Sequence, residues 1–180
     1  MKIEKIYNQE AEANVLSSIL VRNDSICEVI DVLNAEDFYN TRHKIIYKNL
    51  RSMYENSVPM DIITLSEKLG EKLKEVGGVS YLGDLVNSSL NAVNIKNHGH
   101  IVKEKSNYRQ LTSILSSSLN KLNNGEAAAE DLINHVQDSL LAIGEPEKEN
   151  CGDMVGVMER FMDTLQVRYE KGGDVKGIKS

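Results

Sequence analysis

Apolar residues recur at helical spacing along most of the chain, and the longest such pattern lies between residues 94 and 143. A step of three, four or seven residues keeps side chains on one face of a helix. The segment Asn123-Asn124-Gly125 interrupts the pattern with residues that favour the end of a helix. The chain therefore predicts two helices joined by a short turn, an antiparallel helical hairpin. The apolar positions are Ile101, Tyr108, Leu111, Ile114, Leu115, Leu119 and Leu122 on the first arm, and Leu132, Ile133, Val136, Leu140 and Ile143 on the second.

The first arm of about thirty residues would be roughly 45 Å long, which exceeds what a compact domain of this size needs. The whole stripe could pack on the rest of the domain, and we expect this near Ile101. Towards the outer end we expect self-association, because an exposed apolar hairpin would otherwise favour aggregation. The predicted oligomer and partner interface consists of Tyr108, Leu111, Ile114, Leu115, Leu119, Leu122, Leu132 and Val136.

Before the hairpin, helix start signals recur at short intervals. Asn8 is placed to cap a first helix, and Ser25 with Glu28 has the spacing of a capping box that would open a second helix through Leu33. A third helix is predicted for 42–55 with Asn40 or Thr41 as its cap, and Asp61 is placed to cap Ile62–Leu69. No alternation of period two is sustained, so the fold class is all-α.

Two further features concern the body of the domain. Phe38 and Tyr39 lie in a compact connection, where we expect both aromatic rings to fill the core. Gly77-Gly78 separates a stretch of helix or loop from a short helix around Tyr81 and Leu82. Residues 1–143 are therefore expected to form a compact helical domain from which the hairpin 94–143 protrudes.

Residues 144–180 read as a linker with one more helix. The stretch 144–150 is polar and contains both Gly and Pro, which is typical of a linker. An amphipathic helix is predicted for about 153–171, and its apolar face is expected to dock on another chain or on a further domain. The residues of that face are Met154, Val157, Met158, Phe161, Met162 and Leu165.

Composition narrows the class of protein. The chain has 180 residues, 41% of them hydrophobic, so it can bury a core without a disulfide or a metal. Its two cysteines, Cys27 and Cys151, do not indicate a disulfide framework and suggest reduced thiols in a cytoplasmic protein. No secretory signal and no run long enough to span a membrane is present. The net charge of −6 argues against binding of nucleic acid through overall electrostatic attraction and favours a protein partner.

The sequence offers little catalytic chemistry. No Gly-Lys pair is present, so a phosphate-binding loop is absent. His98, His100 and Glu104 do not complete a metal site, because His98 and His100 point in different directions on a helix. The basic cluster of Lys103, Lys105 and Arg109 is either a solvated helix face or a contact for an acidic partner or DNA. We expect no catalytic, cofactor-binding or metal residues, and no enzyme activity in this chain.

Several short segments recur in an order and spacing that together are specific. They are Asn8–Glu12 with Val15-Leu16, Asp37-Phe38-Tyr39 with His43 and Ile46-Tyr47, Pro59–Leu65, Val76-Gly77-Gly78 with Tyr81-Leu82, Asn94-Ile95, and Ile101–Lys105 with Arg109. In this order and spacing they resemble the N-terminal domain of the DnaB family, the hexameric replicative DNA helicases of bacteria and their phages. Where this chain has Ile6-Tyr7, the family pattern often has Pro-His. The last residues, Gly177-Ile178-Lys179-Ser180, look like the start of the segment that opens the RecA-type motor domain in the family.

The resemblance implies a non-catalytic N-terminal fragment of a helicase. Family members pair through their hairpins, form a trimer-of-dimers collar, and dock the C-terminal helicase-binding domain of primase there; a helicase loader can act nearby. The linker helix packs on the motor domain of a neighbouring subunit. ATP and Mg²⁺ belong to that motor domain, and DNA is bound through the full-length protein. An alternative is a free-standing phage or plasmid adaptor that resembles the domain.

Overall fold

The structure, a computed structural model, describes residues 6–87, 94–125 and 128–143. Within these ranges the regular structure consists of helices, without a strand, which confirms the all-α prediction. The six α-helices are α1 (Gln9–Val21), α2 (Thr41–Glu55), α3 (Ile62–Leu69), α4 (Gly78–Asn87), α5 (Ile95–Asn124) and α6 (Ala129–Ala142). Short 3₁₀ helices span Asn23–Glu28, Ala35–Asp37 and Gly70–Leu73.

Three of the predicted helix starts are confirmed by their capping bonds. The side chain of Asn8 accepts a hydrogen bond from the backbone N–H of Ala11 at 3.0 Å. Asn40 accepts from the N–H of Arg42 at the same distance, so Asn40 rather than Thr41 caps α2. Asp61 accepts from two backbone N–H groups at the start of α3. Each cap satisfies donors that the first turn of a helix leaves free.

The predicted α-helix from Ser25 to Leu33 is wrong. The hydroxyl of Ser25 donates to the carbonyl of Arg22 at 2.7 Å and does not act as a helix cap. The side chain of Asn23 makes two hydrogen bonds with the backbone of Met60, at 2.8 and 2.9 Å. These contacts hold the segment in a 3₁₀ helix followed by turns. The inward positions expected for this helix were Ile26, Val29, Ile30 and Leu33; Ile26, Val29 and Leu33 are nevertheless buried, and Ile30 is partly buried against the core.

The core forms around α1, which packs against α5, α4 and α2. Val15, Leu16 and Ile19 of α1 have no exposed surface. Phe38 is fully buried as predicted, but Tyr39 is 47% exposed, so its predicted place in the core is wrong. Phe38 has an extended backbone, and successive side chains of an extended segment point to opposite sides.

The hairpin is confirmed, with its turn at the predicted position. Gly125 follows α5 with φ +66°, the left-handed conformation that glycine adopts without strain. The base of α5 packs on the body through Ile95 and Val102, which are buried. Gly99 lies so close to the body that an added Cβ would be 2.8 Å from Cγ1 of Val29. The predicted linker, its helix at about 153–171 and the six apolar residues of that helix lie outside the described residues.

Candidate functional site

Two apolar grooves lie on the hairpin, between α5 and α6. The first, which we call the outer groove, has a volume of about 470 Å³ and lies towards the turn. The second, the inner groove, has a volume of about 300 Å³ and lies nearer the body of the domain. The outer groove is lined by Leu115, Ser118, Leu119, Leu122, Ala129, Leu132, Ile133, Val136 and Gln137, and the inner groove by Glu104, Asn107, Tyr108, Leu111, Leu140 and Ile143.

The three leucines that α5 contributes to the outer groove are unusually accessible for residues on one apolar stripe. Leu115, Leu119 and Leu122 are between 52% and 58% exposed. A single exposed leucine is ordinary on a protein surface, but a contiguous apolar patch marks an interaction site. All three leucines lie on α5, which packs against α6, and the groove between the two helices is open. The site can therefore bind an apolar helical surface.

Seven of the eight residues predicted for the interface line these grooves. Tyr108 and Leu111 belong to the inner groove, whereas the others belong to the outer groove. Ile114 lines neither groove and is half-buried in α5. Whether these residues contact another chain is not tested by their position, so the interface assignment stays a prediction. The five residues that line the outer groove are Leu115, Leu119, Leu122, Leu132 and Val136.

The prediction missed several groove residues. Ile133, Leu140 and Ile143 were visible in the sequence as members of the apolar stripe of the second arm. Ser118 and Gln137 are polar, and periodicity therefore gave no signal for them. Ser118 is only 8% exposed, whereas the leucines beside it on α5 are more than half exposed. Its Oγ has no hydrogen-bond partner in the described part of the chain.

Two of the three residues in the basic cluster on α5, Lys103 and Arg109, hold the helix against the body of the domain. Nζ of Lys103 lies 3.1 Å from Oδ2 of Asp37, whose side chain is 3% exposed. The guanidinium of Arg109 donates to the carbonyls of Ile6 and Asp37. Burial lowers the pKa of Arg109 below its usual value, although nearby Glu12 and Asp37 oppose this effect. These contacts tie α5 to the body of the domain.

A buried polar network joins three helices beneath the hairpin. The carboxylate of Glu12 accepts hydrogen bonds from the backbone N–H of Tyr39 at 2.7 Å and of Asn40 at 3.2 Å. It also lies 2.7 Å from Nδ1 of His43, and Nε2 of His43 lies 2.7 Å from the hydroxyl of Tyr81. Burial raises the pKa of Glu12, but the hydrogen bonds from His43 and the backbone outweigh burial and lower it overall.

This network gives no sign of a catalytic arrangement. Both Glu12 and His43 are 2% exposed, so no substrate reaches the pair directly. Their role is to hold α1, α2 and α4 together, because a buried carboxylate with three donors fixes the groups around it. Within residues 6–87, 94–125 and 128–143, no group of three metal-ligating side chains is found. None of the helices described there is long and apolar enough to cross a membrane.

Relatives and solved structures of the same kind match most of this chain. The replicative DNA helicase DnaB of Haemophilus influenzae is 33% identical over 182 residues, and the match covers 96% of this chain and 38% of that protein. The replicative DNA helicase DnaC of Bacillus subtilis is 29% identical over 174 residues, with 95% and 38% covered. The chain thus spans less than two fifths of the length of these relatives.

Two solved structures share the fold. The N-terminal domain of the DnaB helicase of Mycobacterium tuberculosis has a TM-score of 0.71 and 26% identity, over 77% of this chain and 99% of that chain. A DnaB-like replicative helicase, described with its interactions with primase, has a TM-score of 0.66 and 25% identity, over 96% of this chain and 39% of that chain. The family model of the DnaB-like helicase N-terminal domain matches residues 4–104. This protein belongs to the family of DnaB-like helicase N-terminal domains.

Proposed function

We propose that this chain is the assembly and docking module of a hexameric replicative DNA helicase. Two copies pair through their hairpins, and three such pairs form a collar above the motor domains. The observation that carries this proposal is the open apolar surface of the outer groove, where the three leucines of α5 are more than half exposed in the single chain. A second hairpin presents the same kind of apolar helical face, so two copies can cover each other's grooves in an isologous interface.

The proposed partner of the assembled collar is primase, through its C-terminal helicase-binding domain. Support comes from the solved DnaB-like helicase that was described with its interactions with primase. A helicase loader is proposed as a further partner near the same surface. DNA unwinding with ATP and Mg²⁺ is proposed for the whole cytoplasmic protein, which would be bacterial or phage-encoded. The segment described here is proposed to act without catalysing a reaction itself.

The experiment that tests the proposal measures mass and binding on the same preparation. Light scattering of the 180-residue chain should give twice the monomer mass of 20.1 kDa, rising towards larger multiples with concentration. Calorimetric titration with the C-terminal domain of primase from the same source should give saturable heat. A chain that stays at its monomer mass at high concentration contradicts the assembly role, and the absence of binding heat contradicts the docking role.

A further inference from the structure

One face of α5 follows the body of the domain and leaves it at Arg109. Positions three or four residues apart along an α-helix lie on one face. On the face that carries Arg109, the positions before it are buried and the positions after it are exposed. The buried positions are Ile95, Gly99, Val102 and Ser106, and the exposed ones are Ser113, Ser116 and Asn120. Arg109 therefore marks the point at which the hairpin begins to project.

The guanidinium of Arg109 joins segments that are far apart in the sequence. It donates to the carbonyl oxygen of Ile6 at 3.0 Å and to the carbonyl oxygen of Asp37. Its Cζ lies 5.8 Å from the centre of the Tyr39 ring, and the ring of Tyr7 stacks on that of Tyr39 with centroids 4.5 Å apart. One planar group with donors in a fixed fork thus holds α5 to the segment before α1 and to the connection before α2.

The segment Ile6-Tyr7, which we call the strap, is held by contacts near the surface. Tyr39, on which the strap stacks, is 47% exposed. Asn8 caps α1 through its own side chain, and within the described residues the buried core begins at Ala11. The strap can therefore leave Arg109 and Tyr39 while the cap of α1 and the core stay in place, which is a local opening rather than unfolding.

The part of α5 beyond Arg109 is long enough to act as a lever. The helix ends at Asn124, fifteen residues further on, which corresponds to roughly 22 Å at 1.5 Å per residue. Over this length a change of about 10° in direction moves the tip by about 4 Å. The position of the tip is therefore sensitive to how firmly Arg109 is held.

We propose that the strap and Arg109 form a clamp that fixes the direction in which the hairpin projects, and that release of the strap lets the hairpin swing. Arg109 is a positioning residue in this device. When the strap leaves, the guanidinium loses one of its two carbonyl acceptors and Tyr39 loses its ring partner, so α5 is held at this point by Asp37 alone among the two acceptors.

The clamp has a consequence for assembly that rests on the proposed function. If hairpins join the copies, the angle between hairpin and body decides where each body lies around the ring. A change at the start of the chain would thereby alter the geometry of the assembly without touching either groove.

Distances between spin labels within one chain test the clamp. In a background of Cys27→Ser and Cys151→Ser, the labels are attached to Lys48→Cys on α2 and Asn123→Cys near the end of α5, both at exposed positions. The labelled chain is diluted into an excess of unlabelled chain, so that double electron–electron resonance reports distances within a chain. The second pair, Lys48→Cys and Asp84→Cys, lies within the body and is also exposed.

Two variants release the clamp in different ways. Deletion of residues 2–7 removes the strap and keeps Asn8, whereas Arg109→Lys keeps the charge and loses the fork. We expect each to widen the hairpin distance distribution roughly twofold or more, with the far-ultraviolet circular dichroism of the parent retained. Lys96→Gln is the matched control, because it removes a cation from the exposed start of α5, and it should leave the width unchanged. The pair within the body should keep its width in every variant.

The clamp is overturned if either the deletion or Arg109→Lys leaves the hairpin distribution as narrow as in the parent. Equal widening of the pair within the body would also overturn it, because the whole domain would then have loosened. Both distances lie within one chain, so they test the clamp even in a chain that fails to self-associate and thereby contradicts the proposed function.

Discussion

The buried carboxylate of Glu12 should contribute strongly to stability, and Glu12→Gln tests this with little change in shape. One oxygen of Glu12 accepts from Tyr39, and the other accepts from Asn40 and lies beside His43. A glutamine amide replaces one of these oxygens with an NH₂ group, so at least one buried donor loses its acceptor. Hydrogen bonds to a charged group contribute about 1.5–3 kcal/mol each, and we therefore expect a loss of about 2–4 kcal/mol in the free energy of unfolding.

The assay is urea unfolding followed by circular dichroism. Glu10→Gln is the matched control, because Glu10 lies in the same first turn of α1 and is exposed. The pH dependence adds a second readout. The pKa of Glu12 is lower in the folded chain than its ordinary value of 4.5. Its stabilising contribution is therefore complete above 4.5 and is lost as the pH falls through the lower, folded pKa. The Glu12→Gln variant should lack this part of the acid loss. A Glu12→Gln variant as stable as Glu10→Gln would refute the reasoning.

Two further predictions concern the attachment of α5 to the body. Gly99→Ala should lower the free energy of unfolding by about 1–3 kcal/mol, because the added Cβ would lie 2.8 Å from Cγ1 of Val29. Gly83→Ala is the matched control, because the space around Gly83 is open. In the same urea assay this control should raise the free energy of unfolding by up to about 1 kcal/mol. Lys103→Met should lower the free energy of unfolding by about 2–4 kcal/mol, because it leaves the buried Asp37 carboxylate without its cation. The double variant Lys103→Met/Asp37→Asn should recover part of this loss. Equal losses in the single and the double variant would contradict this account.

Local signals in the sequence predicted the elements that depend on neighbouring residues. The caps Asn8 and Asp61 act on N–H groups two or three residues ahead, and Gly125 ends α5 through its own backbone conformation. The apolar repeat of the hairpin also lies within two continuous segments. For this reason the sequence alone predicted the hairpin and its turn, and seven of the eight residues that it predicted for the interface line the grooves.

Local sequence patterns could not predict contacts between residues that are far apart in the chain. The 3₁₀ segment after α1 depends on Asn23 binding the backbone of Met60, 37 residues away. Lys103 was grouped with a basic cluster, and its partner Asp37 is 66 residues away. Ser118 could not be recognised as buried, because polar residues carry no signal of burial in an apolar pattern. In each case a tertiary partner, absent from the local pattern, decided the outcome.

The most direct test of the central claim is the dimer dissociation constant of three chains by sedimentation equilibrium: the parent, Leu119→Asp and Leu141→Asp. Leu119 lines the outer groove and is 56% exposed, whereas Leu141 is 75% exposed on α6 and lines neither groove. Pairing through the grooves predicts that Leu119→Asp weakens the dimer by about a hundredfold, the cost of burying a charge in an apolar contact. The same account predicts that Leu141→Asp changes the constant by less than about threefold. Equal effects of the two substitutions, or no effect of Leu119→Asp on a dimeric chain, would contradict pairing through the hairpin grooves.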